Sequence, residues 1–216
     1  MGARAVDAAA LRGGIAIEWW SIGWMALEAA VGLGAGLGAR SVALVAFGAD
    51  SVIELISAGV LLRRLGLERA GGDADRVALL ERRSSAVVGV LLFALALWVL
   101  AGVARDILLV PARPEPSLPG LLLAAASALV MPWIVATKRR VAARIGSAAL
   151  RADAACGTVC AAMAVTLLLG LGLRDLFGWW WADPLAALGI AVFVVREGAE
   201  ALRAARGATD GCGCCD

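Results

Sequence analysis

Histidine and tyrosine are both missing from this chain of 216 residues. The first absence removes the commonest protein metal ligand and the commonest proton shuttle near neutral pH. Any metal or proton site must therefore be built from carboxylates and thiols. Charge is scarce: 18% of residues are charged and 62% are hydrophobic, a balance unlike that of soluble domains. The formal net charge of +2 gives no sign of a polyanionic partner, and no nucleic-acid role is expected. Cysteine is sparse and odd in number, with Cys156 and Cys160 in an apolar run and Cys212, Cys214 and Cys215 at the tail. That is not the spacing of a secreted disulfide scaffold. The opening MGARAVDAAALRGG has no short apolar core before a cleavage site, so no signal peptide is expected. No polar stretch is long enough for a soluble domain.

Six apolar runs are present: 14–38, 41–62, 84–103, 118–137, 152–173 and 182–195. Each is near the ~20 residues a helix needs to cross a bilayer, except the sixth, which must borrow from its flanks. None alternates apolar and polar with a period of two, which excludes the strands of a membrane barrel. The expected fold is an all-α bundle of six transmembrane helices over residues 1–206, followed by a Cys-rich disordered tail, 207–216. Arginine and lysine cluster before the first run, between the second and third, between the fourth and fifth, and after the sixth. All four segments fall on one side of a six-span chain. The positive-inside rule then puts both termini in the cytoplasm of a multi-pass cell-membrane protein. Trp19 and Trp20 would mark the inner interface and Trp179, Trp180 and Trp181 the outer one. Gly32, Gly34, Gly36 and Gly38 form overlapping small-xxx-small spacings suited to close helix contact. Pro132 is expected to kink the fourth helix. Residues 65–80 read as a solvated loop, with 77–83 a helical lead-in to the third span.

Two carboxylates, Asp50 and Glu54, stand in the middle of the second run. Four residues apart, they share one helix face. A charged residue in hydrocarbon costs upwards of roughly 3 kcal/mol, so two on one face call for a cation, protons or a water-filled cavity. The plainer reading is a pair of neutral acids bonded to neighbouring helices. The fifth run repeats the spacing with Cys156 and Cys160, and Asp153 stands three residues before Cys156. Cysteine pairs in membrane helices often serve only as small apolar packing. Opposed to two carboxylates on an antiparallel helix, they complete four ligands, the number a tetrahedral divalent site takes. Glu54 lies about 14 Å from Arg63, and Cys160 about 14 Å from Arg151, so the two pairs match in depth to about one turn. The antiparallel course suggests Asp50 near the level of Cys160 and Glu54 near that of Cys156. Thiolates favour soft cations such as zinc and cadmium. Asp153 is a further candidate as ligand, gate or helix cap. Glu28, mid-run in the first span, is a candidate for the ion path or for pairing across helices. Glu18 reads as interfacial, and Asp183-Pro184 as the N-cap and first residue of the sixth helix.

The pattern Ala49-Asp50-Ser51-xx-Glu54 with Ala152-Asp153-Ala154-x-Cys156-xxx-Cys160 resembles the cation diffusion facilitators, zinc-type cation/proton antiporters. The resemblance covers residues 41–62 and 150–203, and elsewhere rests on topology. It implies an intramembrane transport site at Asp50, Glu54, Cys156 and Cys160, where the family carries His at position 156 and Asp at position 160. It implies export of a divalent cation, zinc foremost, in exchange for protons, with the metal as substrate rather than cofactor and no enzymatic activity. No counterpart of the family's usual cytoplasmic C-terminal domain is expected, and the chain resembles a short branch that includes a vesicular zinc exporter of animals. A homodimer stays open. The alternative is a membrane thiol protein, a metal sensor or redox partner acting through Cys156, Cys160 and the tail.

Overall fold

The computed structural model describes residues 8–69, 74–108, 115, 117–145 and 148–206. The cysteines of the tail lie outside them. Six helices account for nearly all of this: α1 (Ala8–Ala39), α2 (Val42–Arg69), α3 (Ala74–Leu108), α4 (Leu118–Ile145), α5 (Ala148–Phe177) and α6 (Ala182–Ala205). Among the described residues no strand occurs. Five helices are long and apolar enough to cross a membrane. The sixth falls short because Arg196, Glu197, Glu200 and Arg203 crowd its last turns. Its 24 residues still extend about 36 Å, more than the ~30 Å of a hydrocarbon core. The apolar exterior is what a bilayer requires: Leu97, Leu129 and Leu169 are all well exposed.

Every helix outruns its apolar run at one end or both, and α2, α4 and α6 do so only at their C-terminal ends. The expected loop at 65–80 is the clearest correction, since α2 continues to Arg69 and α3 begins at Ala74. Hydropathy marks only the part of a helix that meets lipid. Backbone hydrogen bonding carries the helix further into water. Likewise α4 runs on to Ile145 and continues through Pro132, whose ring is exposed.

Successive helices run antiparallel, and α2 occupies the middle, packed against α1, α3, α5 and α6. The α1–α2 crossing depends on glycine. A Cβ on Gly48 would stand 2.6 Å from the Leu33 nitrogen, and one on Gly32 2.9 Å from the Gly48 Cα. Gly36 meets Val45 in the same way, while Gly34 and Gly38 face open space. Of the four glycines only the pair spaced i, i+4 makes the contact, as one helix face demands. A tight turn at Arg40, with φ 55°, joins the two helices.

The end opposite the arginine clusters is tied together by polar caps. Ser41 Oγ accepts the Leu44 N–H at 3.1 Å and donates its own proton to Asp183. Asp183 also accepts from the backbone N–H groups of Val42 and Ala43. Asp183 is therefore not the N-cap of α6. It sits inside that helix's first turn and caps α2 instead, which locks the starts of the two helices together. Trp181 takes the N-cap position of α6 without a side-chain bond. The indoles of Trp179 and Trp181 stack at 5.0 Å at this end, all three tryptophans exposed. Trp19 and Trp20 are exposed near the other end.

Candidate metal centre

The Gly32–Gly48 contact fixes the register of α1 on α2. Counting one turn from it toward the arginine-rich end, Glu28 comes opposite Ser51, and Glu54 follows. Glu28, Glu54 and Cys160 each offer a ligand atom, and these atoms all lie within 4.8 Å of one another. Three helices thus converge on one point near mid-depth. The thiol of Cys160 is hydrogen-bonded to the Glu54 carboxylate. Glu54 therefore faces Cys160, not Cys156. The depth count from Arg63 and Arg151 agrees with this, since both residues lie nine positions from their arginine. The ordering that paired Glu54 with Cys156 is one turn out.

Asp50 is fully buried, and neither of its carboxylate oxygens has a hydrogen-bond partner. Glu28 acts on it electrostatically, and its own charge acts on Glu54 and Cys160. One oxygen of Glu54 is likewise buried and unpartnered. Buried polar atoms are nearly always satisfied, and unpaired buried carboxylates are costly. No arginine or lysine is paired with these acids among the described residues. The buried cations Lys138 and Arg174 are engaged elsewhere. Among the described residues the cluster therefore has no positive charge beside it, and a cation or protons would supply it.

Cys156 is not part of this convergence. It is exposed, whereas Cys160 is fully buried, and both are free thiols. The charges nearest Cys156 are those of Glu197, Asp153, Glu54 and Glu200. They place it one turn toward the arginine-rich end, in an acid-lined approach. Glu197 on α6 also acts on Glu54 and feels Asp50. Sequence reading passed over Glu197 because it follows Arg196 at the faded end of the sixth run. A carboxylate just beyond an apolar run was the available signal.

Asp153 is held elsewhere. Its carboxylate receives the Lys138 ammonium at 2.5 Å, and the same ammonium stands 2.8 Å from Glu18. Lys138 is 2% exposed and Glu18 is fully buried. Glu18 is therefore not interfacial, and Lys138 is not a loop cation. Together with the half-buried Asp153 they form a triad joining α1, α4 and α5 on the arginine-rich side of the centre. With the lysine on it, Asp153 is a poor candidate for a ligand and a good one for holding the three helices.

Comparison with known proteins bears on this geometry. Residues 19–207 match the cation efflux transmembrane domain. Over 189 residues the chain is 32% identical to a protein of Synechocystis sp. described as an uncharacterized transporter, an alignment covering 85% of this chain. The chain spans about 60% of the length of that relative.

Proposed function

The chain belongs to the cation efflux family, a family of membrane transporters, and from that premise we propose that it carries divalent transition-metal cations out of the cytoplasm in exchange for protons. The observation that carries this reading is Asp50, wholly buried with two unpartnered oxygens beside Glu54 and Cys160. Such a set has little structural use without a cation. The arginine-rich ends would face the cytoplasm. A cation would enter past Glu197, Glu200 and Cys156, shed water, and meet Asp50, Glu54 and Cys160 at mid-depth. Cys156, a member of the four-ligand set by spacing, would line that approach without holding the cation. The carboxyls and the thiol must lose protons to bind a metal, which couples metal movement to proton movement. A thiolate in the set favours zinc and cadmium over magnesium or manganese. Alternating exposure of a midplane site to the two sides is the general transporter solution.

A sensor or redox role through the thiols leaves the buried acids without purpose. Purified protein in proteoliposomes decides between the two. The expected result is zinc and cadmium uptake that accelerates when a pH gradient drives protons the opposite way. Absence of flux for every divalent cation tried would remove the transporter reading.

A further inference from the structure

Glu28 belongs to neither pair from which a site can be read by spacing, yet its carboxylate is at the point where α1, α2 and α5 meet. We propose that Glu28 is itself a ligand of the transported cation, so that the coordinating set is Glu28, Glu54 and Cys160, closed by Asp50, with Cys156 outside it. This rests on the transporter reading above.

Three observations support it. The first is reach. Three atoms no more than 4.8 Å apart share a point within about 2.8 Å of all of them, a small side-chain adjustment from the ~2.0–2.3 Å of zinc bonds. The second is preorganisation. Glu28 Oε1 accepts the Trp24 indole N–H at 2.7 Å, one turn back on the same helix. That bond aims the carboxylate at α2 and leaves Oε2 facing the cluster. Ser51 Oγ stands 3.4 Å from Oε2, but that hydroxyl has a single proton and a better acceptor in the Phe47 carbonyl at 3.1 Å, and the Ser127 hydroxyl beside the same carboxylate makes no hydrogen bond of normal geometry. Oε2 therefore keeps acceptor capacity in a place with no water-facing surface, for Glu28 is fully buried. The third is charge. Glu28 acts electrostatically on Asp50, which is fully buried and unpartnered. A buried carboxylate placed among other buried carboxylates is stabilised only by a cation between them or by protons on them.

The set has a chemical consequence. It offers one sulfur, where the i, i+4 cysteines taken at face value offer two. The third carboxylate makes the site harder than a two-thiolate site, which moves its preference from cadmium toward zinc.

Equilibrium binding to the purified full-length chain in detergent, with zinc alone as the probe, tests the assignment. Glu28→Gln keeps the shape and the Trp24 bond but removes the charge. It is expected to weaken zinc binding at least tenfold, as is Glu54→Gln, while Cys156→Ser is expected to bind within twofold of the parent. Zinc X-ray absorption on the parent is expected to show one sulfur neighbour, lost in Cys160→Ser and kept in Cys156→Ser. The absorption measurement needs no Glu28 variant, so it decides even if Glu28→Gln fails to fold. Parent-like affinity in Glu28→Gln overturns the assignment, as does a two-sulfur shell in the parent. Either result, with binding still lost in Glu54→Gln, leaves the transporter reading standing. A parent that binds no zinc defeats both.

Discussion

At the residue scale, the two cysteines ought to be unequal. Cys160 is buried and bonded to Glu54, and Cys156 is exposed among acids. Cys160→Ser is expected to abolish most zinc and cadmium flux, because an alcohol replaces the soft ligand. Cys156→Ser should retain at least half. Measuring initial rates in proteoliposomes at matched protein density checks the order; equal effects would mean that the thiols act as a pair. Asp50→Asn and Glu54→Gln are expected to reduce flux to background while the protein still inserts. If both carboxyls were merely neutral packing groups, the amides would be tolerated, since burying a neutral group costs less than burying a charge. Flux should rise with pH on the arginine-rich side, because protons leave the ligands before metal binds.

At the element scale, two joints set the geometry of the centre. One is the glycine crossing. Gly48→Val would drive a branched side chain into the backbone of Gly32 and Leu33, where a Cβ alone already approaches to 2.6 Å. Overpacking of this kind costs about 1–3 kcal/mol or more. It would also separate Glu28 from Glu54, so zinc affinity should fall along with thermal stability. Gly34→Ala, facing open space, is the control and should change neither. The other joint is the Lys138 triad. Lys138→Met leaves the buried Glu18 and the half-buried Asp153 without their cation, and removing one partner of a buried pair typically costs about 3–5 kcal/mol. The triple change Lys138→Met, Glu18→Gln and Asp153→Asn should recover part of that loss, read as the melting temperature in detergent. No recovery would mean that the triad is held together by something besides its charges.

At the scale of the whole molecule, the fold was legible and the registers were not. Six spans, their helical nature and the shared side of the arginines follow from runs of about twenty apolar residues and from charge placement. The i, i+4 acids on α2 marked the centre for the same reason, because charge in an apolar run is conspicuous. What was hidden depends on which turn faces which. Glu28 becomes a neighbour of Glu54 only through the Gly32–Gly48 contact. Asp183 looks like the cap of its own helix and proves to cap α2, because the α2 start lies beside it in space. Lys138 and Glu18 lie at the ends of apolar runs, where composition cannot tell lipid interface from protein interior. Sidedness has its own check. A reporter fused after Asp216 should be active only if it functions in the cytoplasm.

The triad has one more consequence, for how this protein can be observed. Lys138 is the sole lysine of the chain, and it lies in the closed joint between α1, α4 and α5. Amine-selective reagents therefore find almost nothing on the folded molecule beyond the backbone's terminal amine. Slow acylation of Lys138, followed by peptide mass spectrometry, would then time the opening of that single joint. Metal that favours an open arginine-rich side should speed the labelling, and metal that favours a closed one should slow it, with no engineered probe in the bundle.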